Sequence, residues 1–175
     1  ATVRNYQKIN AYHGDFDGEL TTQDRFGFSM TSLGDINADG SVDLAVGAIY
    51  DDDGGPGTGV DDRGAVWVLL LRPDGTVLQE RKISDVAGHF DGELSDQDYF
   101  GHGVTSLGDI DGDGRIELLV GATQDDDGDD VSATGRGAVW YLDIKAAKTA
   151  HWSSLGHALA GSAGLPTLAG DGALI

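Results

Sequence analysis

The sequence contains no cysteine, few basic residues and no long apolar run. The lack of cysteine excludes disulfides and cysteine-ligated zinc sites. Only 11 Lys and Arg stand against 30 Asp and Glu, a formal net charge of -19. This charge argues against nucleic acids and anionic membranes as partners, because both are bound through basic patches. No stretch approaches the ~18 consecutive apolar residues of a membrane-spanning helix, so we expect no membrane insertion.

Glutamate and proline are also scarce: the chain has 4 Glu against 26 Asp, and 3 Pro against 28 Gly. Aspartate favours turns, caps and metal-binding loops, whereas glutamate favours helices. The composition therefore predicts short strands joined by tight acidic loops, and it favours cations as ligands. The chain has no signal-like start and ends on the apolar residues GALI, which is typical of a fragment or a cleaved form.

The sequence contains an internal repeat, and such repeats indicate stacked copies of one supersecondary unit. The first two matching pairs are 74 residues apart and the third pair is 73 apart. The pairs are FDGELTTQDRFG (16–27) with FDGELSDQDYFG (90–101), TSLGDINADGSVDLAVGA (31–48) with TSLGDIDGDGRIELLVGA (105–122), and DRGAVWVLL (62–70) with GRGAVWYLD (135–143).

Each unit is predicted to contain four strands, which in the first unit are 26–34, 43–49, 63–71 and 76–84. Helical periodicity is weak, and only residues 145–159 could hold a short helix. Residues 2–10 align with the fourth strand at 76–84, whereas the second unit has no such strand after residue 144. The predicted organisation is an N-terminal strand (1–10), a first repeat (11–84), an incomplete second repeat (85–144) and a divergent tail or linker (145–175).

An unpaired strand and an incomplete sheet in one chain predict strand complementation, because bare sheet edges are normally covered. We expect residues 2–10 to complete the blade at 101–144, either in the same molecule or in a neighbouring one. The second case gives head-to-tail self-association into a ring or a filament.

Two loops, DINADGSVD (35–43) and DIDGDGRIE (109–117), share one ligand pattern. Oxygen-bearing side chains occupy positions 1, 3 and 5, Gly occupies position 6, and an acid occupies position 9. This layout is typical of calcium, which takes 6–8 oxygen ligands, and position 7 would add a backbone carbonyl. Magnesium tolerates such all-protein cages poorly, and an acidic turn without metal is the simpler alternative. An EF-hand is excluded because position 12 is Val46 or Val120 within a strand-like run.

These residues resemble the FG-GAP repeat of integrin alpha-subunit β-propellers and of many bacterial surface proteins. The motifs that carry the resemblance are Phe-Gly at 26–27 and 100–101, the two DxNxDG or DxDxDG loops, and Val-Gly-Ala at 46–48 and 120–122. The DDDGG, RGAVWVL and DGTV…KIS stretches resemble the long bacterial version. The resemblance implies an all-β fold of two four-stranded antiparallel propeller-type blades, the second lacking its own fourth strand. Family propellers usually have about seven blades, and this chain supplies two.

The resemblance also implies Ca²⁺ in the loop between the first two strands of each blade. The implied ligands are Asp35, Asn37, Asp39, Ser41 through its carbonyl, and Asp43 in the first loop, and Asp109, Asp111, Asp113, Arg115 through its carbonyl, and Glu117 in the second. Glu117 departs from the usual Asp at position nine, and its longer arm is expected to loosen or shift that site.

Other chemistry-bearing residues are better explained without a function. The acidic runs 51–53 and 125–130 are interpreted as solvated loops, with Arg63 and Arg136 neutralising part of their charge. The acids of the inter-unit loops (Asp15, Asp17, Asp24, Asp91 and Asp98) could form an accessory cation site, although a solvated role is favoured there too. Trp67 and Trp140 are expected in the core, and His102 has no partner for base catalysis.

We therefore expect a non-enzymatic, calcium-binding extracellular or cell-surface module of bacterial type, with a structural or adhesive role. A protein or glycan ligand stays open. The alternative is a fragment of a larger β-propeller attached to an enzyme or a ligand-binding receptor.

Overall fold

A computed structural model describes residues 1–53, 61–126 and 135–145. Its strands are β1 (Phe26–Gly34), β2 (Asp43–Ala48), β3 (Ala65–Leu71), β4 (Val77–Ile83), β5 (Phe100–Gly108), β6 (Ile116–Ala122) and β7 (Ala138–Ile144). All four predicted strands of the first repeat are present within two residues of their expected ends. The described residues contain no helix. The helix considered at 145–159 and the tail lie outside the described residues, apart from residue 145.

The strands form two antiparallel sheets, ordered β1-β2-β3-β4 and β5-β6-β7. The two central strands pair in equivalent registers, with Val46 opposite Trp67 in the first sheet and Val120 opposite Trp140 in the second. The prediction of an all-β fold with propeller-type blades is confirmed, and the two blades do not close into a ring. We call the four-stranded sheet the first blade and the three-stranded sheet the second blade.

The outer edge of the second blade is β7, which pairs with β6 and with no other described strand. Residues 1–9 belong to no strand and are mostly exposed. The described residues therefore contain one blade without a fourth strand and one segment with a fourth-strand sequence that joins no sheet.

The core lies in two clusters, one between the blades and one on the opposite face of the first blade. Between the blades, Val66 and Val68 of β3 pack in the same cluster as Phe100, Val104 and other apolar residues of the second blade. The second cluster covers Trp67, Leu69 and Val77 with residues of the segment before β1, including Phe16. Alternate strand residues thus face opposite clusters, as the two-residue period of a strand requires.

Candidate calcium-binding loops

The first loop connects β1 to β2 and folds around its own carboxylates. The backbone N–H groups of Asp39 and Gly40 donate to Asp35 at 3.0 and 2.9 Å, and the N–H of Ser41 donates to Asp39 Oδ1 at 2.8 Å. Gly40 has a backbone φ of 92°, a conformation that residues with a Cβ rarely adopt. The sequence pattern of alternating acids followed by Gly therefore forms a tight turn lined with oxygen atoms.

Asp43, the acid at position nine, anchors this loop to the blade. Its side chain is buried and accepts hydrogen bonds from the N–H of Ile36 at 3.0 Å and the N–H of Leu71 at 2.9 Å. Burial raises the pKa of Asp43, although the two N–H donors oppose the shift. A cation at this loop would favour the ionised carboxylate further.

The oxygen donors of the first loop suit a hard cation. Asn37 and Ser41 are buried beside Asp43. The Ser41 hydroxyl oxygen has no hydrogen-bond partner among the described residues, and buried polar atoms are normally paired. The loop thus combines carboxylate, amide and unpartnered hydroxyl oxygens, which is the donor chemistry that calcium prefers.

The second loop, between β5 and β6, repeats these contacts. Asp109 accepts hydrogen bonds from the N–H groups of Gly112 at 2.7 Å and Gly114 at 2.9 Å, and Glu117 accepts one from the N–H of Ile110 at 2.7 Å. Glu117 is as deeply buried as Asp43. The longer side chain of Glu117 therefore keeps the anchoring role of position nine, because its carboxylate still reaches the N–H of Ile110 at position two.

The second loop also brings its carboxylates together in three dimensions. The acids Asp109, Asp111 and Glu117 place oxygen atoms within 4.8 Å of one another, and so do Asp113, Glu117 and Asp143. Calcium binds carboxylate oxygens at about 2.3–2.6 Å, so oxygens this close to one another can share one ion. The two groups share Glu117, which makes this acid the centre of the site.

Asp143 is a candidate site residue that the sequence prediction did not include. It lies on β7 directly opposite Glu117, where the first repeat has Leu70. Arg115 donates to Asp143 Oδ2 at 2.7 Å, and its Nε lies 3.5 Å from Asp113 Oδ2. The sequence predicted a role only for the backbone carbonyl of Arg115. Its side chain places a positive charge among the candidate ligands.

The acidic run at 51–53 is neutralised by a residue outside its own loop. Lys82 of β4 forms ion pairs with Asp51 and Asp53, and Ser84 donates to Asp53 at 3.0 Å. Arg63, the residue expected to neutralise this run, instead pairs with Asp85 at 2.5 Å and with Asp96 at 3.1 Å. Lys82 sits in a polar strand, and only the pairing of β3 with β4 brings it close to the loop. Of the second acidic run only Asp125 and Asp126 lie within the described residues.

Asp24 and Asp98 occupy equivalent turns before β1 and β5. Asp24 accepts hydrogen bonds from the N–H and the hydroxyl of Thr21, both at 2.6 Å, and Asp98 accepts one from the N–H of Ser95 at 2.6 Å. Both side chains are buried. Burial, reinforced by the nearby charges of Asp125 and Asp126, raises the pKa of Asp98 to about 6. These contacts explain the two acids as turn-forming residues.

The aromatic residues pack as expected. Trp67 is buried, with its ring edge-on to Phe16 at 5.1 Å between centroids, and Trp140 packs in the same way on Phe90 at 5.0 Å. His102 contacts the ring of Phe28 at 4.7 Å, across the junction between the blades.

Comparisons with known proteins give one family match and several relatives. The FG-GAP repeat family matches residues 100–142. Integrin alpha-5 from Xenopus laevis is 37% identical over 98 residues, or 56% of the chain. The chain therefore contains an FG-GAP repeat. Two further relatives are integrin alpha-PS2 from Drosophila melanogaster, 34% identical over 102 residues (58% of the chain), and integrin alpha pat-2 from Caenorhabditis elegans, 36% identical over 100 residues (56% of the chain).

The match covers only a small part of these integrin alpha relatives. The matched stretch spans 8% of integrin alpha-5 and 7% of the other two proteins. Within the residues that the structure describes, no helix is both long and apolar enough to cross a membrane.

Proposed function

We propose that this FG-GAP protein is a non-catalytic, calcium-stabilised extracellular or cell-surface module that assembles head-to-tail by strand complementation. Residues 2–10 of one molecule would add a fourth strand to β7 of the next. The resulting ring or filament would serve a structural or adhesive role, with a protein or a glycan as the adhesion ligand.

The observation that carries this proposal is that the backbone of residues 8–14 has the same conformation as the residues after β4. Asn10 and His13 exchange backbone hydrogen bonds at 3.1 and 3.2 Å, as Ser84 and Ala87 do at 3.2 Å beyond β4. The following glycines also match, because a Cβ on Gly14 would lie 2.7 Å from the Lys8 carbonyl oxygen.

At the end of the first blade, a Cβ on Gly88 would lie 2.6 Å from the Lys82 carbonyl oxygen. Residues 8–14 thus have the conformation that follows a fourth strand, although residues 1–9 pair with no described strand. Residues 8–14 therefore lose little conformational entropy when the strand before them joins a sheet.

The acceptor for this strand is the outer edge of β7. An exposed edge presents unpaired N–H and C=O groups that pair readily with another extended segment. In the first blade the equivalent edge of β3 pairs with β4 from Val66 to Leu71. The same pairing on β7 would complete a four-stranded second blade.

Calcium supports the module by neutralising the two acidic loops. Each loop concentrates four acidic or amide side chains around a turn, and like charges this close repel one another. Bound calcium would brace the turns between β1 and β2 and between β5 and β6, and it would add its binding free energy to folding. Asp43 and Glu117 already connect these loops to the blades.

Sedimentation velocity on the full chain and on a chain lacking residues 1–10, each with calcium and with chelator, tests the proposal. We expect the full chain to associate with calcium and the shortened chain to stay monomeric. Thermal unfolding of the same samples should show a lower midpoint in chelator. A midpoint that chelator leaves unchanged contradicts the calcium part, and association that survives the deletion contradicts strand complementation.

A second candidate is supported by the small share of the integrin relatives that the match covers. In that case the two blades are part of a larger β-propeller attached to an enzyme or a ligand-binding receptor. A full chain that is monomeric at every concentration would favour this alternative.

A further inference from the structure

The two blades approach each other so closely that glycine is required at their junction. A Cβ on Gly47 of β2 would lie 2.1 Å from the Gly101 carbonyl oxygen, and a Cβ on Gly64 would lie 2.2 Å from the Phe100 carbonyl oxygen. Gly64 and Phe100 also form a parallel bridge between the blades. Real side chains do not occupy such distances from backbone atoms, so these glycines are explained by the adjacent blade.

The repeat places glycine at the equivalent positions of the two outer faces, where the described residues form no adjacent blade. Gly121 of β6 corresponds to Gly47, and Gly27 of β1 corresponds to Gly101. A Cβ on Gly27 would meet no described atom within 4 Å, and a Cβ on Gly121 would lie 3.7 Å from its nearest neighbour, the Gly103 nitrogen. Gly121 is therefore not explained by the packing of the described residues, whereas Gly27 is explained by its own backbone, with φ of 91°.

On the second blade, apolar side chains are exposed at the positions whose equivalents in the first blade are buried at the junction. Val66 and Val68 of β3 face the blade junction and are 0% and 9% exposed. Their equivalents on β7, Val139 and Tyr141, are 72% and 55% exposed. The face of the second blade that carries Gly121, Val139 and Tyr141 is here called the β7 face.

The first blade has the complementary exposed face. Val104 of β5 is 7% exposed at the junction, whereas its equivalent Met30 of β1 is 61% exposed. The face that carries Gly27 and Met30 is here called the β1 face. The described residues thus present two exposed faces whose equivalents already pack together inside the molecule.

We propose that the β7 face of one molecule packs on the β1 face of a second copy, in the same arrangement that the two blades adopt within the chain. This inference rests on the proposed head-to-tail assembly and adds to it a blade-to-blade interface. Gly121 would meet the backbone at Gly27 of the second copy, and Val139 and Tyr141 would be covered by its β1 strand. Burial of these apolar groups provides the driving force between two acidic molecules.

The second copy is favoured as the occupant by charge complementarity as well as by shape. Lys82 neutralises Asp51 in the first blade, and the equivalents of these residues are Lys8 and Asp125. When residues 2–10 of a second copy lie on β7 in the register of β4, Lys8 would occupy the place beside Asp125 that Lys82 has beside Asp51. Strand addition and face packing therefore use one and the same placement of the second copy.

Single methyl groups test the interface. Gly121→Ala adds a Cβ that fits the single molecule, where its nearest neighbour is the Gly103 nitrogen at 3.7 Å. In the proposed interface the same Cβ would clash with the second copy, as a Cβ on Gly47 would clash with the Gly101 carbonyl oxygen at 2.1 Å. The matched control is Gly103→Ala on the paired strand, because a Cβ there meets nothing within 4 Å and its equivalent in the first blade is Ser29. Val139→Asp is the second variant, with Val86→Asp, at 71% exposure, as its control.

Sedimentation velocity of the full chain in calcium, over a wide concentration range, provides the measurement. We expect Gly121→Ala and Val139→Asp to weaken association by about tenfold or more, with unfolding midpoints like that of the unmodified chain, while both controls associate normally. If the deletion of residues 1–10 abolishes association but these two variants associate normally, strand complementation stands and the interface is overturned. If the unmodified chain never associates, both fail, and the two faces belong against further blades of a longer chain.

Discussion

The Asp43 carboxylate accepts a hydrogen bond at 2.9 Å from the backbone N–H of Leu71, 28 residues further along the chain. Its other oxygen accepts the N–H of Ile36 at 3.0 Å. A single buried side chain thus links the candidate calcium loop, the start of β2 and the end of β3. A cation bound by this loop would therefore be coupled to blade stability at this residue.

Replacing Asp43 with Ala is expected to destabilise the protein even without calcium. The N–H groups of Ile36 and Leu71 would lose their partner, at a cost of about 1–3 kcal/mol for each donor left unpaired. Asp35→Ala is the matched control, because Asp35 also accepts two N–H groups but is exposed, so water can replace it. Urea unfolding in chelator should show a much larger loss for Asp43→Ala. Equal losses would contradict the anchoring role.

Lys82→Met is expected to be among the most destabilising single changes in the first blade. It leaves Asp51 and Asp53 without the positive charge that both carboxylates contact. Removing one partner of a buried ion pair typically costs about 3–5 kcal/mol. Lys8→Met, the equivalent change in the exposed N-terminal segment, should leave the unfolding of the monomer unchanged. Urea unfolding of the two variants at neutral pH makes the comparison.

The loss of folding stability caused by Lys82→Met should become smaller at acidic pH. Burial raises the pKa of Asp51, and in the unmodified protein Lys82 opposes that shift. A carboxyl with a raised pKa in the folded state destabilises the fold when ionised, and this cost disappears as the pH falls through that pKa. The difference in free energy of unfolding between variant and parent should therefore narrow below neutral pH. A difference that is constant with pH would show that lost packing, rather than lost charge, is responsible.

The strands and the tight acidic turns of both loops could be predicted from the sequence because their signals are local. Alternating acids before Gly40 and the apolar run of β2 each lie within a few residues. The roles of Lys82 and Asp143 could not be predicted, because they depend on which residues face each other across paired strands. Arg63 illustrates the same limit, since it is close in sequence to the acidic run but pairs with Asp85 and Asp96.

Asp98→Asn is expected to stabilise the protein at neutral pH. The pKa of Asp98 is about 6, above its ordinary value of 3.8, because of burial and the charges of Asp125 and Asp126. The ionised carboxyl therefore destabilises the folded state above pH 6, and the amide removes this cost of about 1–3 kcal/mol while its oxygen can still accept the N–H of Ser95. Free energies of unfolding measured between pH 4 and 7 should fall with pH in the parent, mainly up to pH 6, and change less in the variant.

Asp24→Asn provides the matched control for this prediction. Asp24 occupies the equivalent turn of the first blade, but it accepts two hydrogen bonds from Thr21. The amide can replace only one of its two accepting oxygens, so this variant should lose about 1 kcal/mol of stability. Stabilisation by both variants would show that the gain at position 98 does not come from its shifted pKa.

Arg115→Ser is expected to strengthen calcium binding by the second loop. The Arg115 guanidinium lies against Asp113 and Asp143, where it repels a cation bound among the same carboxylates. Removing a unit charge within several ångströms of an exposed site changes affinity by about threefold or more, and it also frees Asp143 as a ligand.

Calorimetric titration of this variant should use an Asp35→Ala background, in which the first loop no longer competes for calcium. The reciprocal change, Ser41→Arg with the second loop disabled by Asp109→Ala, places the same charge at the equivalent position of the first loop and should weaken binding there. Opposite effects of the two changes would assign the difference between the loops to this one charge. Unchanged affinity in Arg115→Ser would mean that the ion binds away from Asp113 and Asp143, nearest to Asp109 and Asp111.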